Sequence, residues 1–195
     1  MQRTLRAMVE WLAPRRVAFA LVGGLAVSIR AEVRFTRDVD LALAVTEDEL
    51  TSLVRDLRAA GYHLHSVLEH EIAGRTATVR LVERGSVHVD LIVASCGIEP
   101  EIVASAPLVE LRGVGTLPVA TAEDLLAMKV LSMNEHRRRD LDDSIQLVLT
   151  NPNLDLEHVR ARLSLVTARG FDRGQELQSK LAGVLVKAEA DRTSR

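Results

Sequence analysis

The chain opens on MQRTLRAMVEWLAPRR, in which Leu5, Met8, Val9 and Leu12 recur at helical spacing and predict an amphipathic helix. The next apolar run, VAFALV (17–22), is short and ends at Gly23-Gly24, which predicts a buried strand closing in a tight turn. LAVSIRAEVR (25–34) has helical character. VDLALAV (39–45) alternates as a strand, with Val39, Leu41 and Leu43 on one face. Thr46 and Glu49 form a capping box that opens a helix to about Ala60, and Gly61 stops it. TATVRLV (76–82) and VHVDLIV (87–93) predict two further strands, joined as a hairpin through Arg84-Gly85-Ser86.

Pro107, Gly113, Gly115 and Pro118 then punctuate the chain, and a domain boundary is expected near residue 115. Beyond it the texture is helical. Thr121 with Asp124 caps the helix that carries LLAMKVL, and later helices are expected near 140–149, 155–168 and 173–190. The predicted architecture is α/β (α+β): a mixed-sheet domain over residues 1–115 and a helical bundle over 116–195. No internal repeat or low-complexity stretch is visible.

Composition narrows the possibilities. With 47% hydrophobic residues the chain buries an ordinary core, but at 3% aromatic that core is built from Leu, Val and Ala. Platforms for stacking single-stranded bases are therefore few. The net charge of −2 offers no global basic field, so any RNA contact needs a local patch. A single cysteine, Cys96, excludes an internal disulfide and a cysteine metal cluster, and fits a reducing cytoplasm. The longest apolar run, Val17 to Val27, is too short to span a bilayer, and the first residues lack a signal-peptide core. A cytoplasmic location away from membranes is expected.

The chemistry concentrates between residues 23 and 43. Asp38 and Asp40 are two apart at the start of a strand, so both project from one face while Val39 and Leu41 point to the core. Paired carboxylates repel unless a cation sits between them, and Mg²⁺ prefers oxygen ligands. Asp90 projects from an otherwise apolar strand, a costly position without a partner or a metal. A third acid beside the first two completes a two-metal site that holds a triphosphate and activates a hydroxyl. Gly23 and Gly24 stand where backbone N–H groups approach phosphate oxygens at a helix N-terminus, although any tight turn also explains a glycine pair. Two plainer readings compete: Asp38 and Asp40 as surface partners of Arg34 and Arg37, and Asp90 as a solvent-facing acid. An EF-hand fails because Ala42 takes the third ligand position, and no P-loop pattern exists. His63, His65, His70 and His88 lack zinc spacing, though His88 shares a strand face with Asp90.

Strand, Gly-Gly, helix, then Thr-x-Asp-x-Asp opening a second strand resembles the nucleotidyltransferase superfamily built on the polymerase-β catalytic fold, with Gly23, Gly24, Asp38, Asp40 and Asp90 carrying the match. Within it the chain is similar to the AbiEii-type toxins of bacterial toxin–antitoxin systems, including the mycobacterial MenT-like group. Thr36 two residues before the first acid, Lys129 in LLAMKVL and the RRRDLDD segment (137–143) extend the likeness over residues 20 to 150. In the last segment Asp140, Asp142 and Asp143 compete; Asp140 and Asp143 are favoured because three residues apart places them side by side on a helix.

The resemblance implies transfer of a nucleoside monophosphate from an NTP, a pyrimidine nucleotide in the MenT-like group, to an acceptor hydroxyl at the 3′ end of tRNA. It implies Mg²⁺ (or Mn²⁺) held by Asp38, Asp40 and Asp90, and nucleotide contacts from Gly23, Gly24, Thr36, Arg37 and Lys129. Lys129 would be a mobile point charge on the triphosphate, with Asp140 or Asp143 orienting it or an arginine. A cognate antitoxin is implied as partner, in some such systems a kinase that phosphorylates the residue matched by Thr36. The alternative on the same core is a small-molecule, antibiotic-modifying nucleotidyltransferase.

Overall fold

A computed structural model describes residues 1–70, 74–83, 87–135 and 137–193. The first helix, α1 (Gln2–Leu12), buries Leu5, Met8 and Leu12 and continues into a short 3₁₀ turn (Ala13–Arg15). β1 (Phe19–Val22) is buried throughout and runs into α2 (Gly23–Arg30). β2 (Asp38–Leu43) follows, then α3 (Glu47–Ala59), whose capping box is complete: Glu49 N–H donates to Thr46 Oγ1 and Thr46 N–H to Glu49 Oε2. At Gly61 φ is +100°, the left-handed stop the sequence predicts. β3 (His63–His70), β4 (Arg75–Val82) and β5 (His88–Ile92) complete a five-stranded sheet in the order β1-β2-β5-β4-β3.

The pairing within that sheet decides where the acids meet. β4 and β5 are antiparallel, as a hairpin requires, with their connection at 84–86 outside the described residues. β2 and β5 pair in parallel, with α3, β3 and β4 as the crossover between them. Leu41 and Leu91 lie opposite each other in this pairing and are fully buried.

The second half begins with α4 (Glu99–Ser105) and a two-stranded ribbon, β6 (Leu108–Leu111) with β7 (Gly115–Pro118). α5 (Ala122–Ser132), α6 (Arg138–Thr150), α7 (Leu156–Ala168) and α8 (Leu177–Thr193) follow. One cluster of buried hydrophobic residues runs from Leu5 to Ala188 and so crosses residue 115. The ribbon's exit is bonded to β1, Ala120 N–H donating to Leu21 O. Arg30, at the end of α2, donates to the carbonyls of Val119 and Ala120. Among the described residues no helix is long and apolar enough to cross a membrane.

Three features differ from the periodicity reading. α2 stops at Arg30 instead of running to 34, because Ala31 leaves the helical region (φ −140°, ψ −144°). β3, α4 and the β6–β7 ribbon carry no prediction: β3 mixes histidines with apolar residues on both faces, α4 spans only 7 residues, too few for a helical period to declare itself, and each ribbon strand spans only 4, between the glycines and prolines read as a boundary. Asp124 completes only half a capping box. Its N–H donates to Thr121 Oγ1, while its carboxylate accepts from Ser105, His158 and Arg162 instead.

Candidate active site

Parallel register sets Asp40 beside Asp90 and Asp38 beside His88. The intervening Val39 and Val89 are fully buried on the core side, so the three acids share the opposite face. Asp90 is buried and already has a partner. On the neighbouring β4, Arg80 stands in register with it and forks onto both carboxylate oxygens, Nε to Oδ1 at 2.7 Å and Nη2 to Oδ2 at 2.6 Å. The hydrogen bond to Asp90 holds the guanidinium well above its ordinary pKa. Asp38 faces His88 Nδ1 at 3.6 Å.

Asp40 lacks any such partner: no ion pair reaches it among the described residues. Burial pushes its carboxyl up to about 6, and the charges of Asp90 and Asp38 push in the same direction against Lys129 and the Gly24 N–H. Its position also explains the glycine pair. A Cβ on Gly23 would come within 1.9 Å of Asp40 Oδ2, and Gly23 has φ +65°. Any side chain there would occupy the space of the carboxylate, so the glycine is demanded by the acid as well as by the turn.

A second group of acids comes from the helical half. Lys129 of α5 is buried, with Nζ 2.7 Å from Asp140 Oδ1 and 2.7 Å from Asp143 Oδ2, both on α6. Asp143 also holds Arg34, with Nη2 donating to Oδ2 at 2.8 Å. Arg34 in turn donates to the Phe35 carbonyl. Lys129 is thus an anchored charge at the wall of the site and not a mobile one. Arg34 is turned to Asp143, away from the pairing with Asp38 or Asp40 that a simple surface reading supposes. Asp142 takes no part in this group.

These elements enclose a cleft of about 1040 Å³. Its walls include Gly23, Gly24, Thr36 and Arg37 from α2 and the loop after it; Asp38, Asp40 and Asp90 form its acidic side, and Lys129 and Asp140 its helical side. Asp143 lies behind this wall, reaching the cleft through Lys129 and Arg34. Seven basic and five acidic side chains line the cleft, against a chain of net charge −2. Arg137, Arg138 and Arg139 contribute three of the seven, and Arg137 Nε lies 2.7 Å from Asp140 Oδ2. His63 and His65 lie on β3 away from this lining, and the side chain of His70 is outside the described residues.

The acids suit a divalent cation in kind: they are hard oxygen donors, and Asp40, raised by burial first and by the charges of Asp90 and Asp38 after it, is a carboxyl whose charged form a cation would favour. They do not form a finished coordination shell, since no group of three or more acids and histidines is arranged to hold a metal among the described residues. Arg80 accounts for this, because its fork occupies both oxygens of Asp90. Sequence reasoning missed Arg80. The signal was an arginine in the apolar strand TATVRLV, the counterpart of the acid stranded in VHVDLIV.

A family model described as "Nucleotidyl transferase AbiEii toxin, Type IV TA system" matches residues 6–194. Among solved structures, an antigenic nucleotidyltransferase-like protein from Paracoccidioides brasiliensis is 19% identical, with 93% of this chain and 91% of that one covered at a TM-score of 0.52. ANT(2")-Ia in complex with adenylyl-2"-tobramycin is 13% identical, covering 86% and 97% at a TM-score of 0.54. The lincosamide antibiotic adenylyltransferase LnuA, lincomycin-bound, is 15% identical, covering 75% and 96% at 0.51. At these identities the likeness is one of fold. Among curated proteins none matches this chain.

Proposed function

This chain belongs to the AbiEii nucleotidyltransferase toxin family, and on that premise we propose that it transfers a nucleoside monophosphate from an NTP to the 3′-terminal hydroxyl of tRNA. In this reaction the acceptor oxygen forms a bond to the α-phosphorus, the bond to the bridging oxygen of the β-phosphate breaks, and pyrophosphate leaves. A carboxylate of the Asp38, Asp40 and Asp90 cluster receives the acceptor proton. Asp38, Asp40 and Asp90 would hold Mg²⁺ or Mn²⁺, which would supply charge neutralisation for the triphosphate and the departing pyrophosphate. Gly23 and Gly24 let phosphate oxygens approach the start of α2, the Gly24 N–H being shared with the Asp40 carboxylate. Lys129, set by Asp140 and Asp143, and Arg37 from the loop face the triphosphate.

The observation that carries this reading is the register of Asp40 with Asp90 inside a cleft that also carries six arginines. An arginine-rich rim suits a polyanionic acceptor. It disfavours an amine-rich small molecule such as an aminoglycoside, one of the acceptors open to the alternative reading of a small-molecule, antibiotic-modifying enzyme. The antitoxin of the pair would act on this mouth, and a phosphate on Thr36 would set about −2 charge beside Asp38 and repel the nucleotide. Division into a catalytic part (1–115) and a helical part (116–195) belongs to the same proposal, and so does a cytoplasmic place of action.

Purified protein incubated with each labelled NTP and total tRNA, with Mg²⁺ and with EDTA, tests the reaction. Label in tRNA from a pyrimidine nucleotide, abolished by EDTA, is the expected result. No label in tRNA under any condition removes tRNA as the acceptor.

A further inference from the structure

The chain has five aromatic side chains. Phe19, Tyr62 and Phe171 are buried in the core, and Trp11 is partly buried with the Arg15 guanidinium lying 3.8 Å over its ring. Phe35 alone is exposed, at 74%, and it stands in the lining of the cleft beside Thr36 and the acids. A solitary exposed apolar residue on an ordinary surface needs no explanation. This one is held in place. Arg34, anchored by Asp143, donates to its backbone carbonyl, and the Arg37 guanidinium lies 5.5 Å from its ring centroid. An aromatic face bordered by arginine at the mouth of a cleft is the arrangement by which proteins stack an unpaired base while gripping its phosphate. The ring contributes nothing to the core, so its presence is unexplained by folding.

We propose that Phe35 is a stacking platform for a nucleobase, with Arg37 at the adjoining phosphate. The inference rests on the nucleotidyltransferase reading of the cleft and adds a base-contacting residue to it. The base has two sources, the incoming NTP or the unpaired 3′ end of the RNA acceptor, and both present the same π-face.

Two ligands separate them: UTP or CTP with Ca²⁺ in place of Mg²⁺, and a short single-stranded RNA compared with the same RNA bearing an abasic 3′-terminal residue. Phe35→Ala is expected to weaken binding of one ligand roughly 5- to 100-fold. Phe35→Tyr retains the wild-type affinity, and the melting temperature of both variants is unchanged because the ring is outside the core. In Phe35→Trp the added indole fluorescence, over the constant Trp11 background, is quenched by the same ligand. If the RNA arm responds, the abasic RNA binds wild type and Phe35→Ala alike. In steady-state assays the loss falls on the KM of that ligand, with kcat retained. Binding of both ligands within two-fold of wild type in Phe35→Ala, without quenching in Phe35→Trp, overturns the inference. Transfer to tRNA by wild type alongside that result leaves the functional reading standing. Stacking at Phe35 without transfer to any acceptor leaves the inference standing and removes the functional reading. Wild type that binds neither ligand removes both.

Discussion

Asp40 and Asp124 are both acids enclosed by protein, and their surroundings treat them in opposite ways. Asp124 is fully buried, which alone would raise its carboxyl, yet hydrogen bonds from Ser105, Arg162 and His158 hold it below the ordinary value. Asp40 is raised to about 6 by burial first, and two further acids press it the same way. One carboxylate has been given every partner it needs and ties α5 to α4 and α7. The other has been left short of positive charge in an open cleft. Burial alone therefore does not separate the two acids; the incomplete set of partners does, and it supports the role proposed for Asp40.

Exchanging the roles of the two residues is the strongest way to break this contrast. Asp40→Ala is expected to lower kcat for nucleotide transfer by about 10³-fold or more, while the far-ultraviolet circular dichroism is unchanged and the melting temperature does not fall below wild type. Retention of more than a tenth of the activity in a well-folded Asp40→Ala protein would contradict the assignment.

Asp124→Ala should do the reverse. Arg162 and His158 lose their shared acceptor, which costs about 3 kcal/mol of stability, read as a lower urea midpoint. Activity per folded molecule is retained. A variant as stable as wild type would show that the buried network adds nothing.

The smallest effect sharpens the electrostatic side. A raised carboxyl means that the folded protein holds its proton longer than the unfolded chain does. The stability this confers is fully present below the ordinary value of 3.8 and is lost as pH rises through about 6. Asp40→Asn stays neutral throughout. In EDTA it is expected to exceed wild type by up to about 2 kcal/mol at pH 7, after allowance for solvent access, and by little at pH 4. Denaturation curves at the two pH values measure the gap; one that does not widen from pH 4 to pH 7 argues against a carboxyl raised by burial and neighbouring acids at Asp40.

Local signals carried much of this into the sequence. The Thr46–Glu49 box, the stop at Gly61 and the alternation around Val39 and Val89 are all interactions between near neighbours, and the structure has them where the pattern places them. The sheet order was not legible, because pairing β2 with β5 is a non-local choice that no window of residues contains. The same limit hid Arg80: its charge is visible in the strand, but its register opposite Asp90 is a property of the sheet. Gly23 stood in between. Its place in a turn was evident, while the reason only glycine fits, the carboxylate 1.9 Å from where a Cβ would be, needs the fold.

Arg34 and Asp143, joined in the finished protein, are 109 residues apart in the chain. A ribosome delivers the glycine turn and β2 early, but the anchors of Lys129 emerge only with α6. A polypeptide halted anywhere before residue 143 therefore leaves Arg34 without its acceptor and Lys129 without its full pair, so this wall of the cleft assembles only after α6 has been made.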